Sequence, residues 1–104
     1  DNFGKGEAFS PTDLLATSYA SCLLTIIGIY CQNHGLNFSN GNAEVTKIMS
    51  NDAPRRVQKI ILKIDLSGNG WDAPTAEKII RAGKACPVAK SVHADMEIEM
   101  TFNV

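Results

Sequence analysis

Between Leu14 and Gln32 the chain carries no charged residue, and this run limits what the rest of the molecule can be. Its length is enough to cross a bilayer. Three features argue against a membrane span or a leader. Thr17, Ser18, Ser21 and Thr25 interrupt the run with hydroxyls, no Lys/Arg cluster flanks it, and Ser10-Pro11 before it is the start signal of a helix in a soluble protein. The run is therefore expected to be a core helix, with apolar positions over most of its circumference and burial on several sides. A chain of 104 residues buries only about 60 to 70% of its unfolded surface. One copy has little with which to cover such a helix, and a dimer is expected on that ground.

The helix boundaries are marked. Ser10 is a good N-cap, Pro11 occupies a first helical position where its missing N–H is harmless, and Asp13 falls where a capping-box carboxylate reaches back. His34-Gly35 supplies the stop. The opening stretch, DNFGKGEAF, reads as loop.

Residues 43–49 form a short, weakly alternating strand, and Asn51-Asp52-Ala53-Pro54 is a turn cluster. It leads to a second strand with Ile60, Leu62, Ile64 and Leu66 on one face, so a hairpin is expected. After the Ser67-Gly68-Asn69-Gly70 break, Asp72 and Pro74 announce a helix in which Ala76, Ile79, Ile80 and Gly83 recur at i, i+3, i+4 and i+7. Cys86 lies at its end. Met96, Ile98, Met100, Phe102 and Val104 then alternate against polar residues, which predicts a strand with one buried face. The order helix, strand, strand, helix, strand is an α+β pattern in a single domain over 1–104, without internal repeats.

Ten basic residues stand against eleven acidic ones, and Arg55-Arg56 is the only basic cluster, so no nucleic-acid partner is expected. Three cysteines cannot make a fully paired secreted framework, and a cytoplasmic location is expected instead. His34 and His93 belong to no ligand-spaced cluster, so neither zinc nor another metal is expected. The Gly4 and Gly6 pair lacks the rest of a phosphate loop, and no cofactor is assigned.

The cysteines carry the chemistry. Cys22, inside a helix, receives no help from that helix's own amides. Cys86, directly before Pro87, can sit at a helix start, where free N–H groups and the positive dipole end favour thiolate. The two positions suit a division between attack and resolution. On the helix pattern alone Cys22 reads first as a small core residue, because free cysteine is among the most buried residue types. Cys31, nine residues further on, faces roughly the opposite side and is read as core. Asp13 is read as a cap rather than a catalytic carboxylate, and Arg55 and Arg56 as residues that keep a turn solvated.

The runs Ser10-Pro11-Thr12-Asp13-Leu14-Leu15, Ala20-Ser21-Cys22, Pro54-Arg55-Arg56 and Ala85-Cys86-Pro87-Val88, in this order, resemble the OsmC-like family. That family includes osmotically inducible and organic hydroperoxide resistance (Ohr) proteins, and the similarity runs from about Phe3 to the C-terminus. The resemblance implies a long buried central helix packed on an antiparallel sheet, in an intertwined homodimer with thiol sites near the subunit interface. It also implies a thiol peroxidase acting on organic hydroperoxides or hydrogen peroxide. Cys22 then matches the attacking position and Cys86 the resolving one, with a dithiol reductant of lipoyl type restoring the pair. Two departures accompany these matches. Thr12 stands where the hydroperoxide-reducing branches have a glutamate, with the carboxylate displaced to Asp13, and no arginine precedes Arg55. The branches that reduce hydroperoxides bring that arginine from N-terminal strands, which the chain is expected to lack. The pattern is closest to the less characterised OsmC-like branches. The alternative function is a non-catalytic dimeric binding or redox-sensing module.

Overall fold

The computed structural model describes residues 8–104; the predicted opening loop and the Gly4 and Gly6 pair lie largely or wholly outside them. The elements follow the expected order: α1 (Pro11–Asn33), β1 (Asn42–Met49), β2 (Val57–Asp65), α2 (Ala73–Lys84) and β3 (Glu97–Asn103).

α1 begins as its sequence dictates. The Asp13 N–H donates to Ser10 Oγ at 3.1 Å, and Asp13 Oδ2 accepts from the Ser10 N–H at 3.0 Å, a complete capping box. It ends in a Schellman turn. Gly35 has φ +65°, the Leu36 N–H donates to the Cys31 carbonyl and the Gly35 N–H to that of Gln32. The His34 ring stacks on Tyr30 with centroids 4.0 Å apart, and its Nδ1 lies 2.8 Å from the Tyr30 carbonyl oxygen. Asp72 caps α2 by accepting from the Thr75 N–H, and Arg81 and Lys84 occupy the last turn, where a cation offsets the dipole.

The strand order is β1-β2-β3. β1 and β2 are antiparallel, with Val45 opposite Leu62, as the hairpin reading expects. β3 corrects the expectation of an antiparallel sheet. It lies parallel to β2, with Met100 opposite Leu62, so the sheet is mixed. The reason is the connection: the chain between β2 and β3 carries α2, a crossover long enough to return the chain in the same direction.

One sheet face carries three rows across the strands: Ala43, Ile64 and Phe102, then Val45, Leu62 and Met100, then Lys47, Ile60 and Ile98. With Leu23 and Ile27 of α1 and Ile79 of α2, this face builds the core. Lys47 is the charged member of the three rows. Its ammonium reaches the start of α1, at 3.0 Å from Ser10 Oγ, 2.6 Å from Thr12 Oγ1 and 3.0 Å from Asp13 Oδ1.

α1 corrects a second expectation. It is not buried on several sides within one chain. A single stripe of Ala16, Tyr19, Ala20, Leu23, Ile27 and Cys31 is covered, while Leu14, Leu15 and Ile29 are exposed. By length and composition α1 could cross a membrane, yet its Leu23 and Ile27 are wholly buried in the core. α2 and the sheet supply only enough surface for that one stripe.

Two loops are tied together by Asn69, which is buried. Its Oδ1 accepts from the N–H groups of Ser39 and Asn40, and its Nδ2 donates to the carbonyls of Asn40 and Leu66. Trp71 Nε1 adds a bond to the Asn37 carbonyl at 2.6 Å.

Candidate thiol site

The site is built where α2 crosses α1. A Cβ on Gly83 would lie 2.9 Å from Ile27 Cγ1 and 3.4 Å from Leu23 Cγ, so only glycine allows this approach. The approach brings the residues after α2 down onto the helix that carries Cys22. The Cys86 N–H donates to the Gly83 carbonyl at 3.2 Å. Pro87 then opens a short helical turn, closed by bonds from Ser91 and Val92 N–H to the Val88 carbonyl.

Cys86 sits at the head of that turn as a cap. The Ala89 N–H donates to Cys86 Sγ at 3.4 Å, the arrangement that Ser10 and Asp72 make with oxygen at the two long helices. The Cys-Pro pair therefore does mark a helical start, but the expectation that this favours thiolate needs correction. Cys86 is fully buried, and burial pushes its pKa up. The amides of Ala89 and Val88 pull it down, the neighbouring Cys22 pushes it up, and the net direction is upward.

Cys22 is half-buried on α1, and it lies near enough to Cys86 to push that thiol's pKa up. The fold thus brings together two thiols separated by 64 positions in sequence. All three cysteines are free. Cys31 belongs to the core, as expected, with its pKa raised by burial.

Tyr19 belongs to the surroundings of Cys86, and the sequence alone does not single it out. It is almost fully buried; burial raises its pKa, and the charge of Cys86 raises it further. Its position one turn before Cys22 was the available signal, since residues three apart share a helix face.

The residues at the start of α1 lie elsewhere. Thr12 and Asp13 precede Cys22 by ten and nine positions, or roughly 15 Å along a helix, and within one chain they do not meet the thiols. Asp13 is a cap and an ion-pair partner. The Ser10 amide and then Lys47 hold its carboxyl below the usual range. Lys47 supplies a cation to this end of the helix, although no arginine precedes Arg55. A groove of about 590 Å³ opens beside it, lined among others by Thr12, Leu15, Arg56, His93 and Met96. Arg56 braces the hairpin turn through Asp52 Oδ1 and the Pro54 carbonyl, each at 2.9 Å. Among the described residues no group of three His, Cys, Asp or Glu converges as a metal site would require.

Comparison with known proteins places this arrangement. No curated protein sequence matches the chain. A solved structure from Psychrobacter arcticus 273-4, of a protein named for osmotic stress induction and a detoxification response, is 47% identical. It aligns over 99% of this chain and 74% of its own, with a TM-score of 0.88. An organic hydroperoxide resistance protein OsmC from Legionella pneumophila shares the fold at 16% identity and a TM-score of 0.80, over 99% of this chain and 75% of its own. The organic hydroperoxide resistance protein OhrB of Bacillus subtilis does so at 15% identity and a TM-score of 0.72, over 92% and 71%. The family model described as OsmC-like protein matches residues 4–101. With a match that spans nearly the whole chain and a relative at this identity, the chain belongs to the OsmC-like family.

Proposed function

We propose that the protein is a cysteine-based peroxidase in which Cys22 attacks a hydroperoxide and Cys86 resolves the product. The observation that carries this reading is the proximity of a half-buried thiol on α1 to a buried thiol that a backbone amide caps. Family membership supports a peroxide-related role.

The Cys22 thiolate attacks the terminal oxygen of RO–OH and the O–O bond breaks. The alkoxide leaves with the electron pair and takes a proton to become an alcohol, or water when the substrate is hydrogen peroxide. Cys22 is left as a sulfenic acid. The Cys86 sulfur then attacks the Cys22 sulfur, water leaves, and an intramolecular disulfide closes. A dithiol reductant returns two electrons by exchange. A second copy of the chain covers the exposed apolar side of α1, so the working unit is a homodimer. Three free thiols suit a reducing compartment such as the cytoplasm.

The test is intact mass with thiol counting before and after one equivalent of cumene hydroperoxide. The wild type is expected to lose two thiols rapidly, Cys86→Ser to accumulate a trapped sulfenic acid on Cys22, and Cys22→Ser to remain unreacted. Thiols unchanged over minutes in the wild type would remove the peroxidase reading in favour of a non-catalytic binding or redox-sensing module.

A further inference from the structure

We propose that the thiol pair is a redox-sensitive latch on the connection between α2 and β3. Closing the Cys22–Cys86 disulfide withdraws the Cys86 sulfur from the Ala89 amide and loosens residues 87–96, which supply one wall of the groove beside the start of α1. The inference rests on the pairing of the two thiols in the peroxidase reading, and it adds what oxidation does to the fold.

In the reduced protein, short-range hydrogen bonds keep the connection from α2 to β3 in shape, and Cys86 stands first among them. Its N–H donates to the Gly83 carbonyl at 3.2 Å, which ties it to the last turn of α2. Its Sγ accepts from the Ala89 N–H at 3.4 Å, and its carbonyl from the Lys90 N–H at 3.3 Å. Further on, Ser91 Oγ donates to the Pro87 carbonyl at 2.8 Å, the Val92 N–H to that of Val88, and the Met96 N–H to that of His93. The series runs from the sulfur to the residue before β3.

The Cys86 sulfur serves two neighbours. As a thiol it accepts from Ala89 while it lies near Cys22; in a disulfide a covalent bond sets its direction, toward Cys22 alone. It then carries no charge, and divalent sulfur is a weak acceptor. The two thiols give up two electrons and two protons on closing, to a hydroperoxide as alcohol and water or to diamide as its hydrazine.

One element has to yield when that bond forms. α1 is held by its capping box and its Schellman turn, and Leu23, the residue after Cys22, is wholly buried in the core. Behind Cys86 the crossing at Gly83 is already tight, since a Cβ there would lie 2.9 Å from Ile27 Cγ1. The displacement therefore passes forward along the chain, into residues 87–96.

His93, Asp95 and Met96 at the far end of this stretch line the groove of about 590 Å³ that Thr12, Leu15 and Arg56 complete. The Asp95 N–H donates to His93 Nδ1 at 3.0 Å, so the imidazole is held by the same stretch. The groove thereby responds to oxidation at the thiols through the chain that joins them. The latch lies within one chain and works whichever surface of α1 a second copy covers.

The experiment is hydrogen–deuterium exchange by mass spectrometry on the full chain, reduced and after diamide, with the Cys22–Cys86 link verified by peptide mapping. Amides of residues 88–96 are expected to exchange about fivefold faster in the oxidised protein, the effect of losing one ordinary hydrogen bond, with those of α1 unchanged. Cys22→Ser treated with diamide is expected to match the reduced wild type. Unchanged exchange over 88–96 in the linked protein, acceleration in α1 instead, or the same acceleration in Cys22→Ser would overturn the proposal and leave the peroxidase reading standing. Failure of diamide to link the two residues would overturn both. A link formed by diamide but not by cumene hydroperoxide would remove the peroxidase reading alone.

Discussion

Cys86 is subject to two opposed influences that a sequence weighs poorly against each other. Pro87 after it correctly signals a helical turn, and the turn delivers the Ala89 amide to the sulfur. Burial nevertheless dominates, and its extent depends on how closely α1 and α2 approach, which no local pattern near Cys86 reports. Tyr19 and Cys31 share the same upward direction for the same reason. A thiol or phenol with a raised folded-state pKa keeps its proton when the unfolded chain has lost it. Its stabilising contribution is therefore complete below the unfolded thiol value, about 8.5, and is lost as pH rises through the folded values. Lys59, raised by Glu97 and Glu99, acts in the same direction at higher pH and weakly, because it is solvent-screened. Urea denaturation under reducing conditions is expected to show a midpoint that falls steadily between pH 8 and pH 10.5. A flat midpoint across that window would contradict the burial of these groups.

At the level of elements, both helices were legible because their ends are written in cap chemistry: Ser10 with Asp13, Asp72 with Thr75, and Gly35 beyond the last turn of α1. The direction of β3 was not legible, because alternation of Ile98, Met100 and Phe102 is the same in parallel and antiparallel pairing. Lys47 was hidden for a related reason. The weakly alternating β1 gave no sign that a lysine would share a face with Val45 and Ala43 and reach the α1 cap. Gly83 was legible as a member of the α2 apolar stripe, but its function lies in what it lacks. In Gly83→Ala the added methyl meets Ile27 and Leu23, both wholly buried and unable to withdraw. Overpacking costs about 1 to 3 kcal/mol, against about 1 kcal/mol gained in helix propensity. The expected result is a net loss of about 1 kcal/mol, with α2 displaced and closure of the Cys22–Cys86 disulfide slowed. Parallel measurements of thermal midpoint and of thiol loss after peroxide check both parts. A variant more stable than the wild type with undiminished disulfide closure would refute the account of this crossing.

For the whole molecule, the uncovered side of α1 is the dominant fact. Leu14 is 57% exposed and Ile29 48% exposed, on a helix with no charged residue between Leu14 and Gln32. Apolar surface of this kind on a small domain marks an association site. The wild type is expected to sediment as a dimer and Leu14→Glu/Ile29→Glu as a monomer with unchanged helical circular dichroism. A wild type that sediments as a monomer at micromolar concentration would exclude this self-association. The crossover through α2 has a temporal consequence as well. Cys22 and α1 leave the ribosome long before α2, Cys86 and β3, and β3 can find its place beside β2 only after the whole intervening segment has been made. Contacts of such long sequence separation close late, because the loop entropy must be overcome first. The nascent chain therefore passes through a period in which Cys22 is already made and Cys86 is not, and the two thiols meet only once α2 has been synthesised and has packed on α1.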